Sequence, residues 1–134
     1  MQSLFELKSE LPFDTAVWEE MRALACALLE QAPKNRYTQA IVLQTDQNNL
    51  YGAVIENALS KGLSDENALL AKLQAANDTK IAYVLCMWQD LGLDIPSMAF
   101  RKLLHDRLPQ SHDCRLFVMT KNGVSVTRLS HTLK

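Results

Sequence analysis

With 134 residues, of which 48% are hydrophobic, the chain can bury one core and has the composition of an ordinary globular domain. Fourteen basic side chains against fifteen acidic ones leave a net charge of -1, which excludes a broad cationic footprint for nucleic acid or an anionic membrane surface. No apolar run reaches the roughly 18 residues that a membrane-spanning helix needs.

The sequence has no low-complexity tract, repeat or long linker, so residues 1–134 read as a single domain. The opening Met1-Gln2-Ser3-Leu4-Phe5-Glu6 lacks the basic-then-apolar pattern of a secretory signal, and a cytoplasmic protein is expected. Cys26, Cys86 and Cys114 are odd in number and widely spaced. They read as reduced thiols, neither a disulfide frame nor a zinc cluster.

Residues 14–32 predict a helix. Asp14 or Thr15 can cap it, Val17, Met21, Leu24, Ala25, Leu28 and Leu29 recur at helical spacing, and Pro33 stops it. Residues 39–44 are short and apolar and predict a buried strand. The turn cluster Asp46-Gln47-Asn48-Asn49 lets residues 50–55 return as its hairpin partner, although Ala53–Leu59 also fits a helix. Ser64 then precedes Asp65 and Glu66, acids suited to the positive end of a helix whose stripe is Leu69, Leu70, Leu73 and Ala76. Asn77-Asp78 ends that helix. The wholly apolar Ile81–Trp88 predicts a strand covered on both faces. Gly92 lies in a loop. Pro96 suits the first turn of a third helix running through Phe100, Leu103 and Leu104 to Pro109. Lys121-Asn122-Gly123, between Arg115–Thr120 and Val124–Arg128, is the strongest hairpin signal in the chain. The order is α-β-β-α-β-α-β-β, an α/β fold of three layers, α-β-α, around a central five-stranded mixed sheet.

Three short motifs carry a family resemblance. Tyr51-Gly52-Ala53-Val54-Ile55-Glu56-Asn57-Ala58 resembles the Gly-Cys-Asn-Val-Glu-Asn-Ala segment of small cytidine deaminases. Pro96, Ala99 and Arg101 match that family's Pro-Cys-Gly-Ala-Cys-Arg helix start. The tail from Arg115 to Leu133 resembles its closing hairpin and Leu-rich end, so the resemblance spans residues 14–133. It implies a cytidine deaminase-like fold, a homo-oligomer, and a nucleoside-like or other small ligand touched by Glu56 and Asn57. The family's ribose-binding Asn falls on Val54 here.

The chemistry departs from the family. Such enzymes place a His or Cys zinc ligand two residues before a proton-moving Glu at the second helix start, and two more Cys at the third. Here Ser64 stands where the first ligand should be and Glu66 takes the Glu place after a one-residue gap. Ser97 and Phe100 replace the two cysteines. Neutral serine is a poor zinc ligand and phenylalanine is none. Without the metal no bound water is acidified. The resemblance therefore implies a protein with no metal and no cofactor, lacking zinc-dependent deaminase activity, with Glu56, Asn57, Glu66 and Ser97 as ligand-binding residues.

Each of these residues also has an ordinary reading. Glu56 suits an exposed strand end, Glu66 the N-terminus of any helix, and Ser97 a cap. Cys86 reads as core. His112 and Cys114 are near in sequence, but a thiol–imidazole pair needs geometry that proximity does not give. His105, His112 and His131 are scattered and form no ligand pattern. Trp18 and Met21 read as core, and Phe100 as a ring filling the place of the metal. Three readings follow: a non-catalytic deaminase-like protein that binds a small ligand or serves assembly; an enzyme of different, metal-independent chemistry in the same cleft, using Glu66, Asp65, Ser97 and Glu56; or an unrelated α/β binding module.

Overall fold

A computed structural model of the chain describes residues 12–58 and 62–133. The expectations for Met1–Glu6 and for a helix reaching Leu59 lie wholly or partly outside the described residues.

The first helix, α1 (Thr15–Gln31), begins where Asp14 Oδ1 accepts the backbone N–H groups of Ala16 and Val17, at 2.9 and 3.4 Å. Those donors have no partner inside the helix, so the cap satisfies them. Met21, Ala25 and Leu29, four residues apart, form its fully buried edge.

Strands β1 (Gln39–Thr45) and β2 (Leu50–Ile55) form the expected hairpin, with Val42 opposite Gly52. Residues 50–55 are therefore strand, and the helical alternative fails there. A Cβ at Gly52 would lie 2.8 Å from Leu28 Cδ1, so glycine lets α1 close onto this strand.

Helix α2 (Ser64–Ala75) follows, but Ser64 is its first helical residue and not a cap. Leu63 holds the cap position with no side-chain hydrogen bond, while Asp65 and Glu66 occupy the first turn. After β3 (Ile81–Trp88) a tight turn leads to β4 (Leu93–Asp94), a two-residue strand that the apolar pattern did not signal. Helix α3 (Met98–Arg107) is capped by Ser97, whose hydroxyl accepts the Phe100 N–H at 3.1 Å. Pro96 therefore precedes the cap and does not enter the first turn. A short 3-10 turn (Pro109–Ser111), also unforeseen, leads to the hairpin β5 (Arg115–Thr120) and β6 (Gly123–Arg128), then to the one-turn helix α4 (Leu129–Thr132).

The sheet runs β2-β1-β3-β5-β6, with β4 joined to β3; among the described strands only β3 and β5 pair in parallel. The five-stranded mixed sheet is thus present with one short addition. Its two faces follow from the alternation of side chains along a strand. Ala40 and Val42, with Tyr83, Leu85, Met87 and Phe117, face α1. Ile41 and Leu43, with Val84, Cys86 and Leu116, face α2, α3 and α4. Trp18 joins the first cluster, its ring 5.1 Å from that of Phe117. Three layers result, and Ala40–Leu43 of β1 and the whole of β3 are apolar because both faces are covered.

At one end of the sheet Asp78, 1% exposed, ties the layers together. Its backbone N–H caps α2 by donating to Leu73 O at 3.0 Å, past Asn77 in the left-handed region at φ 54°. Its Oδ2 accepts from Thr45 Oγ1, Asn49 Nδ2 and Tyr51 Oη at 2.9, 2.8 and 2.9 Å. Burial alone would raise this carboxyl's pKa; the three donors outweigh it and hold the pKa below the ordinary range.

Candidate functional site

Of the residues singled out by sequence, Glu66 and Ser97 stand at the starts of α2 and α3. Glu56 and Asn57 are exposed, immediately after β2. The backbone holds them in place: Thr38 Oγ1 donates to Glu56 O at 3.3 Å and Ala58 N–H donates to Tyr37 O at 2.9 Å. Glu66, in the first turn of α2, is only 7% exposed. Burial raises its pKa most, its own backbone N–H lowers it, and the neighbouring Asp65 charge raises it, for a net upward shift. Ser97 is exposed at the start of α3.

Phe100 is fully buried. It joins Cys86, Leu69, Leu70, Leu104 and Ile41 in one apolar cluster between α2, α3 and the sheet. The ring therefore belongs to the core. Cys86 is 1% exposed, and its thiol pKa is driven up by burial first, then by the Asp94 and Glu66 charges. Glu66 is thus near enough to Cys86 to be felt there. Arg107 of α3 bridges to Asn67 and Gln74 of α2, fixing the two helices against each other. Among the described residues no hydrogen bond or ion pair joins Glu56, Glu66 and Ser97 to one another.

These residues do not fit a zinc ion. The Ser97 hydroxyl is engaged as a helix cap, Phe100 offers no donor atom, and the nearby Cys86 resists becoming the thiolate that metals bind. Among the described residues no group of three His, Cys, Asp or Glu side chains converges. His105 and His112 instead lie beside Asp106 and Asp113, at 3.3 Å each, on the surface. Cys114 is buried with its pKa pushed up to about 12, so it forms no activated pair with the exposed His112.

Sequence reasoning overlooked the Asp78 knot, whose residues looked like ordinary turn and strand positions. It also passed over Arg36, Tyr37, Trp88 and Asp90, which line a surface pocket of about 420 Å³. The available signal was an aromatic residue beside or two residues from a charged one, Arg36-Tyr37 and Trp88-Gln89-Asp90.

The fold is that of the cytidine deaminases. The chain matches cytidine deaminase from Mycobacterium leprae with a TM-score of 0.64 at 20% identity, over 87% of this chain and 96% of that one. It matches the enzyme from Mycobacterium tuberculosis with a TM-score of 0.62 at 16% identity, over 87% and 93%. The enzyme from Bacillus anthracis gives a TM-score of 0.66 at 11% identity, over 87% and 86%. At these identities the likeness is one of fold. No family model matches the chain. No curated protein matches it by sequence. The match removes the reading of an unrelated α/β module. Among the described residues no helix is long and apolar enough to cross a membrane.

Proposed function

We propose that this is a non-catalytic member of the cytidine deaminase-like fold, a metal-free protein that binds a small ligand at the remnant cleft or serves assembly. The observation that carries the reading is the fate of the third-helix ligand positions: Phe100 is fully buried core and the Ser97 hydroxyl is a helix cap. A hydrolytic deaminase of this fold needs those positions to hold the metal that makes hydroxide. Glu56, Asn57, Glu66 and Ser97 are the groups proposed to meet a nucleoside-like or other small ligand. The solved cytidine deaminases that share the fold give the proposal its ligand class. A homo-oligomer in the cytoplasm is proposed on the same resemblance, and sedimentation analysis of the purified chain tests the oligomer.

The deciding measurement is zinc content by mass spectrometry on tag-free protein never exposed to chelator. Substoichiometric zinc is expected. One tightly held zinc per chain would overturn the reading and return a hydrolase to consideration. Thermal-shift screening against nucleosides then tests the ligand class.

One observation favours a second reading, metal-independent chemistry in the same cleft: Glu66 is a buried carboxyl that keeps its proton to higher pH than an ordinary one. The apolar filling around Phe100 argues against it. Turnover of a nucleoside by metal-free protein, abolished in Glu66→Gln, would establish it.

A further inference from the structure

The pocket of Arg36, Tyr37, Trp88 and Asp90 lies at the end of the sheet where the central strand β1 begins and its neighbour β3 ends. None of Glu56, Asn57, Glu66 or Ser97 lines it, so an inference from it stands apart from the cleft. Its volume of about 420 Å³ falls within the range of small-molecule sites, roughly 300–1,000 Å³.

The walls are fixed by the backbone. Gln39 pairs with Trp88 in the β1/β3 ladder, and Gln89 N–H donates to Thr38 O at 3.0 Å. Asn35 Oδ1 accepts the Tyr37 N–H at 2.9 Å. The Trp88 indole N–H donates to Asp94 Oδ2 at 3.2 Å, which orients the ring. The Arg36 guanidinium lies over the Tyr37 ring, 4.8 Å from its centroid, and donates to Tyr37 Oη at 2.6 Å. The turn that presents Asp90 holds Leu91 at φ 71°, a conformation that a leucine rarely adopts, while Asp90 Oδ1 accepts the Gly92 N–H at 2.9 Å. Backbone strain of this kind persists only where surrounding structure enforces it.

Two opposite charges thus stand on the rim, and they do not meet. Among the described residues neither Arg36 nor Asp90 has an ion-pair partner. Arg36 retains guanidinium donors in the planar fork that suits a carboxylate, and the second Asp90 oxygen remains as an acceptor. Tyr37 and Trp88 line the pocket with them, aromatic surface for a flat apolar group. We infer that this pocket binds a zwitterionic aromatic α-amino acid, its carboxylate on Arg36, its ammonium on Asp90 and its ring against Trp88 and Tyr37. A ligand with one charge only would leave the opposite rim charge unanswered; an aliphatic side chain would forgo the ring contacts.

The test is isothermal titration of the full chain with L-tryptophan, L-phenylalanine, L-tryptophan amide and N-acetyl-L-tryptophan. Saturable binding of the two free amino acids is expected, with each blocked derivative weaker by about tenfold, the scale of one charge-assisted hydrogen bond. Arg36→Gln should weaken free tryptophan about tenfold yet leave the amide unchanged, and Asp90→Asn should do the same for the acetylated compound. A misfolded variant would lose the amide and acetyl controls as well, and both residues are exposed, so unchanged melting curves accompany the expected result. No saturable binding of either amino acid at millimolar concentration overturns the inference. So does binding that both variants leave untouched.

Discussion

Asp78 and Glu66 sit at opposite ends of α2, and both are buried, at 1% and 7% exposure. Their protonation is pushed in opposite directions. Asp78 meets three side-chain donors on one oxygen and its pKa falls; Glu66 has only its own backbone N–H against burial and its pKa rises. Burial therefore does not decide the charge of a carboxyl; the donors around it do. Asp78 is a structural fastener that knits the β1–β2 hairpin to the C-terminus of α2. Glu66 is a buried acid with no side-chain donor of that kind among the described residues, at the position where the family resemblance places its proton carrier.

The strongest way to disturb the Glu66 end is Phe100→Ala. Removing a fully buried aromatic ring should destabilise the chain by about 3–5 kcal/mol in denaturant unfolding. Water entering the space beside Cys86 should also ease the desolvation of Glu66 and lower its pKa, readable by carboxyl chemical shifts. A loss below about 1 kcal/mol would mean that the ring is not part of the core. At the other end, Asp78→Ala deletes the acceptor of three hydrogen bonds and leaves Thr45, Asn49 and Tyr51 facing nothing. We expect a loss of about 2–4 kcal/mol and a fall in the Tyr51 phenol pKa, which burial, the Asp78 hydrogen bond and the Asp78 charge now raise. An unchanged Tyr51 titration would separate the two residues.

The third helix start offers a smaller test. Ser97→Ala removes the acceptor for the Phe100 N–H and should lower stability by about 1 kcal/mol without changing ligand affinity if Ser97 is only a cap. Loss of ligand affinity at unchanged stability would make it a contact residue. Ser97 also shows how far the sequence could be read. The order of helices and strands was legible because β1 and β3 are apolar on both faces and Asn122-Gly123 marks its hairpin. Ser97 and Phe100, where the resemblance puts two zinc ligands, were legible as residue types. Their surroundings were not: that Phe100 joins a cluster with Ile41 and Cys86 depends on contacts between separate elements, and that Thr45, Asn49 and Tyr51 converge on Asp78 depends on contacts across 27 to 33 residues. β4 escaped notice because two residues cannot show a period.

The smallest expected effect is also the one that separates the two carboxyls most directly. Glu66 has a folded pKa above its unfolded value of 4.5, so between those two values the folded state binds the extra proton. Its neutral form is free of penalty at low pH, and stability is lost as pH rises through the folded pKa. Asp78 has a folded pKa below its unfolded 3.8, so its contribution is complete above 3.8 and is lost as pH falls through the folded value. The variant Glu66→Gln keeps the shape and removes the charge. Its Tm should therefore exceed that of the parent at pH 7 and converge with it near pH 4, whereas Asp78→Asn should be less stable at pH 7 and converge only in stronger acid. Melting curves of both variants from pH 3 to pH 8 read the two slopes. If Glu66→Gln is instead less stable at pH 7, the Glu66 carboxylate is held by a partner after all, and the contrast with Asp78 disappears.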